Sequence, residues 1–175
     1  MRAVLISIVL SALAGAARAE VVDSQPDGFE VSETVDIAAP VAKVWNAFGR
    51  IGGWWDPAHT FSHDAGNLSL DPTLGGCFCE RLPGAGGVRH MQVIYVRPGE
   101  AMRLEGALGP LQATGAVGHM TVSFKEASGH TTVTMTYDVG GYVKGGLGNL
   151  AKPVDAVLGV QAARLKRYAG TGKPD

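Results

Sequence analysis

FEVSETVDIAAPVAKVWNAFGRIGG, residues 29–53, is the stretch of sequence that decides the fold. Apolar and polar residues alternate from Phe29 to Ile37, which is the pattern of a strand with one buried face. After Ala39-Pro40 the apolar residues follow a helical period, so the stretch predicts a strand that leads into a short helix. Strand-like segments then succeed one another until one helical segment near the C-terminus. This order predicts a curved antiparallel sheet that packs on a single long helix.

The remaining elements are read from periodicity and turn residues. A second short helix or turn is expected at 49–55, and 56–67, the longest stretch without a period, is expected to be a mobile loop. From 147 to 168 the period changes to about 3.6, and Pro153 places the helix start near Lys152 because proline is tolerated only in a first helical turn. Six further strands bring the expected total to about seven: 67–70, 75–82, 88–96, 101–105, 119–125 and 131–139.

The first 19 residues have the organisation of a secretory signal peptide. Arg2 supplies a positive start, 4–13 are mostly apolar, and Ala17-Arg18-Ala19 is a small-x-small cleavage site. The apolar stretch is shorter than the roughly 20 residues of a membrane-spanning helix. We therefore expect an exported protein, periplasmic or secreted, without a stable membrane span after cleavage; an uncleaved anchor is the alternative.

Cleavage would leave 156 of the 175 residues, enough for one domain with a single core. We expect an irregular N-terminal lead at 20–28, a single domain at 29–170 and a frayed tail at 171–175, in a monomeric protein. The formal net charge would change from −1 to −3, because the removed residues hold two arginines and no acid. No basic patch emerges, which argues against nucleic acid as a partner.

Four stretches, 31–55, 70–80, 93–106 and 163–168, carry a resemblance to a known superfamily. The chain resembles the helix-grip or SRPBCC superfamily, which includes START lipid-binding domains, birch-pollen-allergen-like proteins, polyketide cyclase/dehydrase-like proteins and activators of the heat-shock-chaperone ATPase. The resemblance covers nearly the whole chain after residue 19. It implies an α+β fold in which the sheet bends around the C-terminal helix and leaves a cavity for a lipid, sterol or aromatic polyketide.

Cys77 and Cys79 lie two apart in a predicted strand. Residues so spaced have Cα atoms roughly 6.5–7 Å apart in a regular strand, at or beyond the disulfide limit, so a bridge is not expected unless the strand is distorted. Two thiols are also only half of a zinc site. We interpret both cysteines as small apolar side chains.

Glu80 and His90 are the candidate catalytic pair. If the hairpin closes with Leu82 opposite Val88, antiparallel pairing sets Glu80 opposite His90. A carboxylate that orients an imidazole in an apolar cavity suits general acid–base catalysis. The same pair facing solvent would be a weak surface ion pair.

The facing pattern leaves both readings of that pair open. Cys77, Cys79, Met91 and Tyr95 share the more apolar face, so we expect these four side chains to line the cavity. In that case Glu80 and His90 would point outward. A slip of one residue in the register would exchange the two faces.

Three further aromatic residues are candidate ligand contacts. Trp54 and Trp55 adjoin the long loop, and indole rings offer large, rigid contact areas. Tyr142 lies in a glycine-rich hinge, 140–146, where it could close over the cavity. His59 and His63 have the spacing of helical metal ligands, but Pro57 and Gly66 argue against a helix there, so no metal site is predicted.

Together these features favour an exported protein that binds a hydrophobic small molecule between the sheet and the C-terminal helix. One alternative is a cyclase/dehydratase-type enzyme that uses Glu80 and His90 without a metal or nucleotide cofactor. Another is a protein-interaction module like the chaperone ATPase activators. No cofactor is expected, since phosphate-binding and dinucleotide-binding glycine motifs are absent from the sequence.

Overall fold

The computed structural model describes residues 18–175. The predicted signal peptide, 1–19, lies outside the described residues apart from its last two. The helices are α1 (Val41–Gly49) and α2 (Ala151–Thr171). The strands are β1 (Arg18–Gln25), β2 (Gly28–Ile37), β3 (Leu68–Leu70), β4 (Cys77–Arg81), β5 (Gly87–Arg97), β6 (Ala101–Gly106), β7 (Gly115–Ala127) and β8 (His130–Tyr142).

The strands form one antiparallel sheet in the order β1-β2-β8-β7-β6-β5-β4-β3. From β3 to β8 each strand pairs with the next along the chain, and β2 then pairs with β8 to bring the first hairpin alongside. Burial alternates along β2 as the sequence pattern predicts. The α+β class, the curved antiparallel sheet and the long C-terminal helix are therefore confirmed, with one strand more than the expected seven.

Helix α2 covers the buried face of the sheet. Its inward side chains include Leu158, Gln161 and Leu165, and it packs mainly on β2 and β1. Pro153 lies in the first turn, where it costs no intrahelical hydrogen bond. The helix ends at a left-handed glycine, Gly172, whose N–H donates to the Tyr168 carbonyl at 2.8 Å.

Both ends of the described range depart from expectation. The predicted irregular lead, 20–28, instead consists of 20–25 of β1, which pairs with β2, the turn at 26–27 and the first residue of β2. Because β1 is an edge strand with mostly exposed side chains, its sequence carries no alternation to reveal it. The predicted frayed tail folds back on α2, where Arg167 Nε donates to the Pro174 carbonyl at 2.6 Å and Arg164 pairs with Asp175.

The expectation of unpaired cysteines is wrong, since the structure has a disulfide between Cys77 and Cys79. A β-bulge between Phe78 and Cys79 breaks the regular pairing of β4 with β5. Beside this bulge the Cα–Cα distance of the two cysteines is 5.4 Å, within the range that a disulfide spans.

One acid lies on the buried face of β2. The Glu33 side chain is fully buried (0% exposed), and neither of its carboxyl oxygens has a hydrogen-bond partner within residues 18–175. Burial, reinforced by the nearby carboxylate of Asp155, raises the pKa of Glu33 to about 8. The folded protein therefore holds a proton on Glu33 at neutral pH.

This buried acid gives a pH-dependent stability that Glu33→Gln should remove. Between its ordinary pKa of 4.5 and about 8, only the folded state keeps the Glu33 proton. The stability this proton provides is complete below pH 4.5 and is lost as the pH rises towards 8. We measure the free energy of unfolding in urea for both proteins. As the pH rises from 5 to 8, we expect this free energy to increase in Glu33→Gln relative to the wild type, by on the order of 2 kcal/mol.

Glu30→Gln, on the same strand but the opposite face, is the matched control and should show no such trend. A stability difference between wild type and Glu33→Gln that stays constant from pH 5 to pH 8 would show that Glu33 ionises normally.

Candidate functional site

A cavity of about 480 Å³ lies between the N-terminal half of α2 and the sheet. Its size is within the range of small-molecule sites. Helix α2 supplies one wall, β4 and β5 supply the opposite wall, and the segments 58–61 and 108–111 close the sides. The lining is largely apolar: Trp55, Ala58, His59, Thr60, Phe61, Phe78, His90, Leu108, Gly109, Pro110, Leu111, Leu150, Pro153, Val154, Val157 and Leu158.

A buried carboxylate–imidazole pair stands in the sheet wall. His90, which is 4% exposed, directs Nε2 at a Glu80 carboxyl oxygen at 2.9 Å. The same carboxylate accepts hydrogen bonds from the backbone N–H groups of Phe61 (3.1 Å) and Ser62. Glu80 thus joins strand β4, the imidazole of β5 and the side segment of the cavity.

Two opposing effects set the charge of Glu80. Burial alone would raise the pKa of Glu80, but hydrogen bonds from Ser62, Phe61 and His90 outweigh it and hold that pKa below its usual value. Burial lowers the pKa of His90, and the neighbouring carboxylate only partly offsets this. At neutral pH the pair is therefore a charged carboxylate and a neutral imidazole.

The hydrogen bonds assign the tautomer of His90. A charged carboxylate can only accept, so Nε2 carries the proton and Nδ1 carries the lone pair. The Gln112 side-chain amide lies 3.3 Å from Nδ1 and donates to it. The ring itself lies between Phe78 and Phe61, with centroid distances of 4.8 and 5.9 Å.

Register explains why Glu80 and His90 face inward. The bulge at Phe78/Cys79 and a tighter hairpin tip set Glu80 opposite Val88 and not opposite His90. The two side chains nevertheless form a hydrogen bond, because both project from the same face of the sheet. The predicted contact is therefore present, although the predicted register is wrong.

The expectation that Cys77, Cys79 and Tyr95 line the cavity is wrong. The two half-buried cysteines lie on the other face of β4 from Phe78 and Glu80. Tyr95 is 40% exposed, and the Arg103 guanidinium carbon lies over it, 5.6 Å from the centroid of the Tyr95 ring. A second bulge, between Val93 and Tyr95 in the pairing of β5 with β6, turns Tyr95 outward.

Met91, the fourth of these candidates, is buried but belongs to the core and not to the cavity lining. His90 and Met91 are consecutive and both buried, so the alternation of β5 changes phase at this point. The β-bulge lies at this change: Phe78 pairs with Met91 and Cys79 pairs with Arg89, so His90 is the extra residue and it belongs to β5.

The two tryptophans have different positions. Trp55 lines the cavity, contacts Phe78 ring to ring and donates its indole N–H to the His59 carbonyl at 3.1 Å. Trp54 is 1% exposed, and its indole N–H donates to the Phe48 carbonyl at 3.2 Å within the core. Tyr142, at the end of β8, is 75% exposed and does not contribute to the lining.

Several lining residues lie where sequence patterns gave no signal. His59, Thr60 and Phe61 come from the segment without a period, 56–67. It begins with a short 3-10 turn, Pro57–His59, capped by the Asp56 carboxylate. Gln161 did carry a signal, because it is a polar residue within the apolar stripe of α2. The structure buries it completely beside His59.

The described residues, 18–175, hold no group of three or more His, Cys, Asp or Glu side chains that could bind a metal ion. Within the same range no helix combines the length and the apolar character needed to cross a membrane.

A curved sheet closed by one long helix over an apolar cavity defines a helix-grip protein of the SRPBCC class. The sequence matches the family described as polyketide cyclase / dehydrase and lipid transport over residues 28–170. The chain belongs to that family. No curated protein gives a significant sequence match.

Solved structures share the fold. The chain is similar to DynU16, a protein in the dynemicin biosynthetic locus, at 23% identity and a TM-score of 0.58, covering 83% of this chain and 48% of that one. CalU16 from Micromonospora echinospora is 13% identical with a TM-score of 0.52, covering 90% and 84%. Aha1 from Colwellia psychrerythraea, solved as a dimer, is 17% identical with a TM-score of 0.58, covering 82% and 98%.

Proposed function

We propose that this chain is an exported helix-grip protein that binds a hydrophobic small molecule, of the lipid, sterol or aromatic polyketide class, between α2 and the sheet. The observation that carries the proposal is the cavity of about 480 Å³ with its largely apolar lining. Removing apolar surface from water is favourable, so an apolar ligand that replaces water in the cavity gains binding free energy. Membership of a family whose description includes both polyketide chemistry and lipid transport supports the same class of ligand.

Filling the cavity should weaken ligand binding. Val157 lines the cavity from α2, so Val157→Trp would occupy the ligand's volume. Val160 is on the same helix, 40% exposed and outside the lining, which makes Val160→Trp a matched control. The test panel consists of a fatty acid, a sterol and an aromatic ketone. We expect wild type and control to bind at least one of these ligands with equal affinity. Val157→Trp should bind the same ligand about tenfold or more weakly.

Isothermal titration or ligand-induced thermal shift provides the measurement. A bound ligand present at 100 times its Kd stabilises the folded state by about 2.7 kcal/mol, which such a shift detects readily. No binding by any panel member, or binding that Val157→Trp leaves unchanged, would contradict the proposed site.

Export is the second element of the proposal. The leader-like sequence of 1–19 supports it, and so does the Cys77–Cys79 disulfide, because such bonds persist mainly in oxidising compartments. Cleavage after Ala19 would leave Glu20–Gln25 of β1, all within the segment that pairs with β2.

We expect protein recovered from its native host to begin at Glu20 and to contain no thiol that reacts in denaturant before reduction. N-terminal sequencing and thiol labelling measure the two properties. An intact Met1 together with two reactive thiols would contradict export.

One observation favours a second candidate function, a cyclase/dehydratase-type enzyme. The Glu80 and His90 pair lies in the cavity wall with the protonation states that a general base requires. The Nδ1 lone pair of His90 would accept a proton from the substrate. The hydrogen bond from Gln112 to Nδ1, which is long, would then be lost. Glu80 would stabilise the imidazolium that results.

The test is the dehydration of an aromatic β-hydroxyketone, followed by absorbance. We expect His90→Gln to lower turnover by about 10²–10⁴-fold while ligand affinity is retained. Because the pKa of His90 lies below its ordinary value, wild-type activity should persist below pH 6.5 and fall only when the ring becomes protonated. Equal turnover by variant and wild type, or no turnover by either, would contradict the enzymatic function and leave ligand binding as the proposed function.

A further inference from the structure

We propose that His59 presents a fixed N–H donor to the cavity, and that this donor makes the site select apolar ligands that carry a neutral oxygen acceptor such as a ketone carbonyl. The inference deepens the proposed function and rests on it. A chain of hydrogen bonds that starts at the backbone of Asp56 and passes through Gln161 carries the argument.

The first link fixes the orientation of the Gln161 side chain. The backbone N–H of Asp56 points at Gln161 Oε1 at 2.8 Å. A backbone N–H can only donate, so the atom that it meets must be the amide oxygen. The amide nitrogen of Gln161 is then the atom that lies 3.0 Å from His59 Nδ1.

The second link fixes the proton on His59. An amide nitrogen can only donate, so Nδ1 of the neutral ring must accept, and the ring proton is therefore on Nε2. The Asp56 carboxylate does not compete for Nδ1. Its Oδ2 lies 3.7 Å away, beyond hydrogen-bond distance, while its Oδ1 accepts from the Ala58 backbone at 2.9 Å.

Among the polar side chains of the cavity wall, this Nε2–H differs from the rest. The Trp55 indole donates to a backbone carbonyl, the Thr60 hydroxyl donates to the Pro57 carbonyl at 2.8 Å, and both ring nitrogens of His90 have partners. Within residues 18–175, His59 Nε2 makes no hydrogen bond. Its side chain is 33% exposed, so solvent reaches the ring in the free protein.

A ligand that fills the cavity therefore displaces the solvent from the His59 Nε2–H donor. A hydrocarbon displaces the solvent and leaves the N–H unpaired, whereas a carbonyl oxygen replaces the lost hydrogen bond. Sites that hold a fixed polar group discriminate strongly against analogues that cannot pair with it. His59 is in this sense a specificity-determining residue, and Gln161 is its positioning residue.

The charges around the site favour a neutral acceptor over a carboxylate. The lining contains no lysine or arginine. The Asp56 carboxylate lies near the His59 ring, and Glu80, whose lowered pKa keeps it charged, lies behind His90. An anion would enter the cavity without a counter-charge and against two negative groups. A ketone thus fits better than a fatty-acid anion.

The test compares fluorene with 9-fluorenone, which have the same ring skeleton and differ by one carbonyl oxygen. Affinities for both are measured by titration on wild type, on His59→Phe and on Val160→Trp as the exposed-face control. We expect wild type and control to bind the ketone about tenfold or more tightly than the hydrocarbon. His59→Phe should bind both equally, with unchanged or improved affinity for fluorene.

A second measurement does not depend on a ligand. The ring ¹⁵N shifts of His59 report which nitrogen carries the proton, and we expect the Nε2–H tautomer in wild type. In Gln161→Met the constraint on Nδ1 is removed, so we expect a mixture of tautomers and a smaller preference for the ketone.

The outcomes separate the two proposals. Equal binding of fluorene and 9-fluorenone by wild type, or an Nδ1–H tautomer, would overturn the role of His59 and leave the hydrophobic site standing. Binding of neither probe would remove both the selectivity and the proposed function for ligands of this size.

Discussion

The structure of the cavity depends on one buried carboxylate. Glu80 accepts backbone hydrogen bonds from Phe61 and Ser62 and a side-chain hydrogen bond from His90. A charge that is removed from water must be satisfied by such bonds, and here they come from a side segment and from the neighbouring strand. The segment that closes one side of the cavity is therefore attached to the sheet by the same group that orients the imidazole.

Apolar packing extends this arrangement across the interior. Ring contacts link Phe48 to Trp54, Trp54 to Trp55, Trp55 to Phe78 and Phe78 to the His90 ring. The first contact belongs to the core below α1 and the last lies in the cavity wall. Since packed interiors deform little, such a chain of contacts favours a cavity wall of fixed shape.

Much of the fold could be predicted because its largest elements have regular patterns. The alternation of β2 and the 3.6-residue period of α2 gave the sheet, the helix and the superfamily. The site was harder to predict, because bulges beside Cys79 and Tyr95 reverse which side chains face inward. No periodic pattern encodes an inserted residue, so Cys77, Cys79 and Tyr95 were assigned to the wrong face, while the contact of Glu80 with His90 was foreseen. Gln161 was visible in the sequence as a polar interruption, but its partner His59 came from a segment without a pattern.

A crystal structure of the protein grown with 9-fluorenone tests the central claim most directly. The account predicts ligand density bounded by Phe78, Val154 and Leu158, with Glu80 still bound to the backbone of Phe61 and Ser62. A cavity filled by the protein's own side chains, or ligand bound elsewhere on the surface, would contradict it.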